Sequence, residues 1–153
     1  MAAQVPETSL LHQLYEQDYF CWLNETARLL RSGDLAEIDR ENLAEEIEDM
    51  GRSEKRSLES NLEIVLMHLL KYQYQPERLS NSWRSTLFEH RKRLRKTFKE
   101  SPSLKNYFLE VFEECYQDAR QMAALETELA VDIFPEICQF TPEETLGSDF
   151  LPD

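Results

Sequence analysis

Glycine is scarce in this sequence of 153 residues, and its three glycines stand far apart, at Gly33, Gly51 and Gly147. A glycine-rich loop that cradles the phosphates of a nucleotide is therefore not available. The Gly-x-Ser-x-Gly turn of serine hydrolases is absent as well. These absences argue against the common nucleotide-dependent and hydrolytic enzyme classes.

Cysteine is equally sparse, with Cys21, Cys115 and Cys138 widely separated and odd in number. Neither a disulfide framework nor a zinc site built from close cysteine pairs fits this spacing. No run of eighteen apolar residues occurs, and the start MAAQVPETSLLHQLYEQ lacks the charged and apolar segments of a secretion signal. We expect a cytoplasmic protein that is soluble in a reducing environment and does not enter a membrane.

Charge is abundant and unevenly distributed. The chain has 17 basic and 30 acidic residues, which gives a net charge of −13. Residues 84 to 99 carry seven cations and one acid, a local charge of +6, whereas residues 34 to 50 carry eight acids and only Arg40. The overall charge opposes approach to a nucleic acid, and the acidic segment can neutralise the basic one within the chain.

The spacing of apolar residues predicts four long helices, at about residues 9 to 31, 39 to 73, 81 to 99 and 104 to 130. Gly33 stands where the first helix should end, and Gly51 is expected to bend the second without breaking it. Pro76 ends the second helix, because proline lacks an amide proton. In the third helix, His90 or Arg91 must fill the gap in the inner stripe between Leu87 and Leu94.

We therefore expect an all-α fold, a single-domain bundle of four long helices over residues 1 to 153. Its core spans about residues 14 to 130, and a partly irregular tail, residues 131 to 153, packs on the bundle through Phe134, Ile137 and Phe140. Within the tail, the sequence TPEE indicates a short helix start.

Several segments resemble one family. YEQDYFCWLNETARLLRSGD, LAEEIEDMGRSEKR, MHLLKYQYQPE and NSWR are similar to the bacterial family called domain of unknown function 29, which is abundant in cyanobacteria. The likeness is dense from about Leu14 to Ser103, continues weakly to about Leu129, and leaves out the tail. It implies a small all-helical cytoplasmic protein and supplies no activity, cofactor or catalytic residue.

Chemistry-bearing residues form one candidate cluster, namely Glu46, Asp49, His68, His90 and Arg91. His68 lies in an otherwise apolar helix segment, which favours a buried structural imidazole hydrogen-bonded to a carboxylate, a tyrosine or a main-chain carbonyl. A metal site formed by Glu46, His68 and His90 is the alternative, although the Glu-x-x-His pattern of helical metal proteins is missing. We also expect Glu46 or Asp49 to meet Arg91 or Arg95 in a charged seam.

The basic segment defines a further patch, which consists of Arg91, Lys92, Arg93, Arg95, Lys96 and Lys99. Solvent exposure or internal neutralisation explains it best, a protein partner comes next, and nucleic acid is unlikely.

The preferred function is a noncatalytic protein-interaction module with a protein partner or a second copy of the chain and no cofactor. The alternative is a metal-dependent enzyme with an interhelical Glu/His site.

Overall fold

The computed structural model describes residues 10 to 153, and within this range every regular element is helical. The α-helices α1 to α6 have the bounds Leu10–Gln17, Tyr19–Ser32, Arg40–Tyr74, Asn81–Glu100, Leu104–Thr127 and Pro142–Leu146. Three short 3₁₀ helices lie at Leu35–Glu37, Pro76–Arg78 and Val131–Ile133. The predicted all-α fold is confirmed.

The second, third and fourth predicted helices correspond to α3, α4 and α5, and α3 runs through Gly51 without a break. The prediction of one continuous first helix is wrong, because α1 ends at Gln17 and α2 begins at Tyr19. Asp18 stands between them, and its carboxylate accepts a hydrogen bond of 3.0 Å from the Cys21 amide. Aspartate is common at this N-cap position because its carboxylate accepts a hydrogen bond from an amide that has no partner inside the helix. Ser9, the expected first residue, lies outside the described residues.

The chain divides into two compact units, Met1–Arg52 and Ser53–Asp153, which we call unit 1 and unit 2. In unit 1, α1, α2 and the first residues of α3 bury a small core. Its buried apolar side chains are Leu11, Trp22, Leu29 and Ile38. Gly33 ends α2 with a φ of +80°, the left-handed conformation that glycine adopts without strain.

In unit 2, the remainder of α3 packs with α4 and α5 around a much larger core. Residues of α3 from Leu58 to Leu70 are buried on several sides of the helix, as expected for a central helix. On α4, Leu87, Leu94 and Phe98 are buried.

The tail of unit 2 contributes to this core through Phe134 and Phe140, whereas Ile137, also expected to pack, is exposed. Leu125 of the predicted α5 stripe is exposed as well. The predicted helix start at TPEE is confirmed: Thr141 and Glu144 form a reciprocal capping box at the N-terminus of α6.

Candidate functional site

Glu46 joins α1, α2 and α3 of unit 1 through two tyrosines. Tyr15 donates a hydrogen bond of 2.6 Å to Oε1 of Glu46, and Tyr19 donates one of 2.5 Å to Oε2. Each oxygen of the carboxylate therefore accepts one phenolic hydrogen bond. The hydrogen bond to this carboxylate is the main cause that raises the pKa of Tyr15 to about 12, and it raises the pKa of Tyr19 as well.

An aromatic cluster lies beside this carboxylate. The Trp22 ring meets the edge of Tyr15 at a centroid distance of 4.9 Å and stacks on Tyr19 at 5.9 Å. Trp22 is fully buried, and its indole Nε1 has no hydrogen-bond partner among the described residues; the same holds for the buried hydroxyl of Thr26. Packing therefore holds Trp22 in place.

The opposite flank of α2 leaves apolar side chains in solvent. Phe20, Leu23 and Leu30 recur at helical spacing, and their exposed fractions are 73%, 37% and 48%. We call these three residues the α2 face. None of them belongs to the small core of unit 1.

A groove of about 400 Å³ lies on another flank of α2, and none of the three residues of the α2 face lines it. Apolar side chains of α1 and α2 form its floor, and Cys21, Glu25, Arg28 and Glu37 line the remainder. Arg28 pairs with Glu25 at 2.5 Å. The groove thus combines an apolar surface with a charged border, the usual composition of a binding cleft.

The carboxylate of Asp49 has a partner within unit 1. It forms an ion pair with Arg52, one turn further along α3, and Arg52 also contacts Glu45 at 3.0 Å. These partners are close in sequence and exposed, so they require no long-range packing.

Arg91 is the residue that fills the inner stripe of α4, since it is only 2% exposed. It donates hydrogen bonds from Nε to the carbonyl of Thr145 (2.9 Å), from Nη1 to that of Phe150 (2.8 Å) and from Nη2 to that of Glu144 (3.1 Å). Arg95 donates to the carbonyl of Leu146 at 3.1 Å. Both arginines thus bind main-chain carbonyls of unit 2, and the expected seam with Glu46 or Asp49 stays a prediction.

The physical reason lies in α6. The last carbonyls of a helix have no partner within it and carry partial negative charge, so cations bind there. Arg91 and Arg95 donate to the carbonyls at the end of α6, and these carbonyls take the place that a carboxylate acceptor was expected to hold. Burial, followed by the neighbouring Arg95 charge, lowers the pKa of Arg91 to about 10, which leaves the guanidinium charged at neutral pH.

His68 is 9% exposed in the core of unit 2. Its Nδ1 donates a hydrogen bond of 2.9 Å to the carbonyl of Ile64 on the preceding turn of α3. Burial is the largest cause that lowers the pKa of His68, so the ring is neutral at physiological pH. This geometry agrees with the structural interpretation of His68.

His90 donates from Nδ1 to the side-chain oxygen of Asn61, at 2.7 Å, and Asn61 donates in turn to the carbonyl of Ser57 at 2.8 Å. Burial also lowers the pKa of His90. Within residues 10 to 153, no three His, Cys, Asp or Glu side chains are grouped so that they could hold a metal ion. The metal-dependent alternative, with Glu46, His68 and His90 as ligands, stays a prediction.

The other members of the basic patch are mostly solvent-exposed. Arg93 pairs with Glu89 at 3.2 Å and Lys96 with Glu100 at 3.8 Å, each one turn away on α4. Lys92 and Lys99 are exposed. Exposed pairs of this kind contribute about 0 to 1 kcal/mol each.

Sequence reasoning missed two groups of residues. Tyr15 and Tyr19 were not singled out in the sequence, although two tyrosines four residues apart beside an acidic helix indicate carboxylate partners. Lys71 is buried, pairs with Glu126 at 2.5 Å and lies 4.4 Å from the centre of the Trp83 ring. No local signal could have predicted that arrangement, because Glu126 is 55 residues away.

These observations define a small all-helical protein in which the predicted site residues make hydrogen bonds and ion pairs to other groups of their own unit. None of the helices described, from Leu10 onward, is long and apolar enough to cross a membrane.

The chain belongs to the family "Domain of unknown function DUF29", whose sequence model matches residues 14–151. The resemblance seen in the sequence is thus confirmed, and it extends through most of the tail that we expected to lie outside it. No curated protein and no solved structure matches the chain.

Proposed function

We propose that the protein is a noncatalytic protein-interaction module whose α2 face receives a basic amphipathic helix of another protein. The observation that carries this proposal is the exposure of Phe20, Leu23 and Leu30 on one side of a single helix. Exposed apolar surface bordered by polar residues is characteristic of binding sites, and spacings of three and seven residues on one helix suit a helical partner.

Charge determines the chemistry of the partner. Residues 10 to 52 contain eleven acids and four arginines, a net charge of −7. A partner helix with lysine or arginine around its apolar side would be attracted to this surface, whereas the same surface of a second copy would be repelled. The groove bordered by Glu25 and Glu37 offers such cations further carboxylates.

The two cysteines of unit 2 support a binding role more than a reaction. Burial raises the pKa of the Cys115 thiol to about 12 and that of Cys138 to about 11. A thiol with such a pKa is almost entirely protonated at neutral pH and is a poor nucleophile.

The test is capture from a native lysate with two matched double variants. Phe20→Asp/Leu23→Asp alters the α2 face, and Leu109→Asp/Leu125→Asp alters two exposed side chains of unit 2. We expect the wild type and the unit 2 variant to retain the same stoichiometric protein, and the α2 variant to lose it by at least about tenfold. Circular dichroism of each variant checks that the fold is intact.

The charge argument adds a second readout. The captured complex should weaken as salt is added, because exposed charges are screened over about 10 Å at 0.1 M salt. A partner that the folded α2 variant retains would contradict the proposal. Light scattering that shows a stable dimer, disrupted by the α2 variant, would replace the basic partner with a second copy.

A further inference from the structure

We propose that a cavity between α4 and the tail of unit 2 binds a carboxylate joined to an apolar chain. The cavity measures about 290 Å³, close to the lower limit of ligand pockets. Leu87 and Phe88 of α4 and Leu151 of the tail provide its apolar surface. This site is separate from the α2 face and does not depend on the function proposed for it.

Two arginines line the same cavity, together with Ser148 and one acid, Asp149. Arg84 is exposed and has no ion pair or side-chain hydrogen bond among residues 10 to 153. Arg91 is buried at the wall, where its three nitrogen atoms each donate to a tail carbonyl. Its position is therefore fixed before any ligand arrives.

The charge of Arg91 carries the inference. No carboxylate of the described residues forms an ion pair with it, although a buried charge normally has an ionic partner. Carbonyl oxygens satisfy its hydrogen bonds but do not neutralise its charge. Arg95 adds a second positive charge nearby, and Asp149 counteracts part of this charge. Arg84, Arg91 and Asp149 together give the cavity lining a net charge of +1, which favours an anion.

The apolar surface of the cavity determines which kind of anion binds there. An inorganic ion would gain nothing from Phe88, whose side chain is 57% exposed at the cavity. A carboxylate with an apolar chain would cover Phe88 and place its charge near Arg84. Two sources share this chemistry: a small free monocarboxylate, and the C-terminal residue of a peptide that ends in leucine.

The probes are hexanoate and its neutral analogue hexanamide, titrated into the full-length protein and followed by amide NMR shifts. We expect hexanoate to move the signals of Leu87, Phe88 and Leu151 with a dissociation constant in the range of about 1 mM. Hexanamide should bind at least about tenfold more weakly, because it lacks the charge. Equal binding of the two compounds would overturn the proposal.

Variants supply the second readout without altering the tail anchor Arg91. Arg84→Met should weaken hexanoate by about twofold to fivefold, as expected for an exposed ion pair, whereas the exposed Lys92→Met should leave it unchanged. Asp149→Asn should strengthen binding, since it removes a competing negative charge. If Arg84→Met and Lys92→Met bind hexanoate with the same affinity as wild type, the cavity is not the site.

A short peptide with a free C-terminal leucine identifies the source. Tighter binding of this peptide than of hexanoate, lost on C-terminal amidation, would assign the cavity to peptide ends. Tighter binding of hexanoate would assign it to small monocarboxylates. A failure of both probes to move the three signals at about 20 mM would exclude the site in either form.

Discussion

Units 1 and 2 differ in how much apolar surface they bury. Unit 2 has eighteen buried side chains in one core, whereas the core of unit 1 has four. Yet eight of the thirteen exposed large apolar side chains of the described residues belong to unit 1. Because stability depends on burial, we expect unit 2 to be the more stable of the two, while unit 1 retains apolar surface that a partner can cover.

The largest effect should come from the same truncation made in each core. Leu62→Ala in unit 2 removes a fully buried side chain and should cost about 3 to 5 kcal/mol, while Leu29→Ala in the smaller core of unit 1 should cost roughly 2 to 3 kcal/mol. Urea denaturation can report each unit separately, since Trp22 lies in unit 1 and Trp83 in unit 2.

Trp83→Phe leaves Trp22 as the probe of unit 1, and Trp22→Phe leaves Trp83 as the probe of unit 2. We expect the fluorescence of Trp22 to change at a lower urea concentration than that of Trp83. Coincident transitions in both backgrounds would show that the two units unfold together and would remove the contrast in their stability.

A second test concerns the anchor of the tail. Arg91→Met preserves the length of the side chain but removes three hydrogen bonds, so we expect a loss of roughly 2 to 4 kcal/mol in the free energy of unfolding of unit 2. Arg93→Met, on the exposed side of α4, should change it by less than about 0.5 kcal/mol. Equal losses in both variants would mean that the carbonyl contacts of Arg91 contribute nothing specific.

A smaller effect should appear as pH dependence in unit 2. Burial lowers the pKa of His68 below 6.5, so the unfolded chain takes up a proton at this residue before the folded chain does. The stability gained from a neutral His68 is therefore present above about pH 6.5 and lost as the pH falls below it. Between about pH 7.5 and pH 5.5, the stability of His68→Gln should fall less than that of the wild type. Urea denaturation at the two pH values measures the difference, and identical changes would contradict the assignment.

The smallest effect is spectroscopic and belongs to unit 1. Glu46→Gln removes the carboxylate that accepts hydrogen bonds from Tyr15 and Tyr19. The pKa of Tyr15 should therefore fall from about 12 toward 10. Ultraviolet titration of the phenol groups can follow this change against Glu48→Gln, an exposed neighbour on α3. An unchanged titration would show that the hydrogen bond to Glu46 does not control Tyr15.

Local sequence signals were sufficient to predict most helices and buried positions of unit 2. Apolar residues at three- and four-residue intervals predict the buried side of α3, including Leu58, Leu62 and Leu69, because a helix places them on one face. Pro76 predicts the end of that helix from its missing amide proton. In unit 1, the apolar pattern continues through Asp18 and concealed the break, which only the capping preference of aspartate indicated.

The site was less predictable for a physical reason. Charge complementarity suggested a carboxylate for Arg91, but a guanidinium also binds carbonyl oxygens, and every residue has one. The choice among them depends on where the tail passes, 53 to 59 residues further along the chain. The burial of Lys71 beside Glu126 and Trp83 depends on long-range packing in the same way.

Four side chains of α4 and α5 hold the tail through its main-chain oxygens. The donors are Arg91, Arg95, Tyr116 and Arg120, and the acceptors are the carbonyls of Phe134, Pro135, Glu144, Thr145, Leu146 and Phe150. A main-chain oxygen survives any substitution of its own residue, so exposed tail positions should tolerate exchange in a saturation-mutagenesis library, while the four donors should not. Relatives of this protein would then share the path of the tail even where its amino-acid sequence differs.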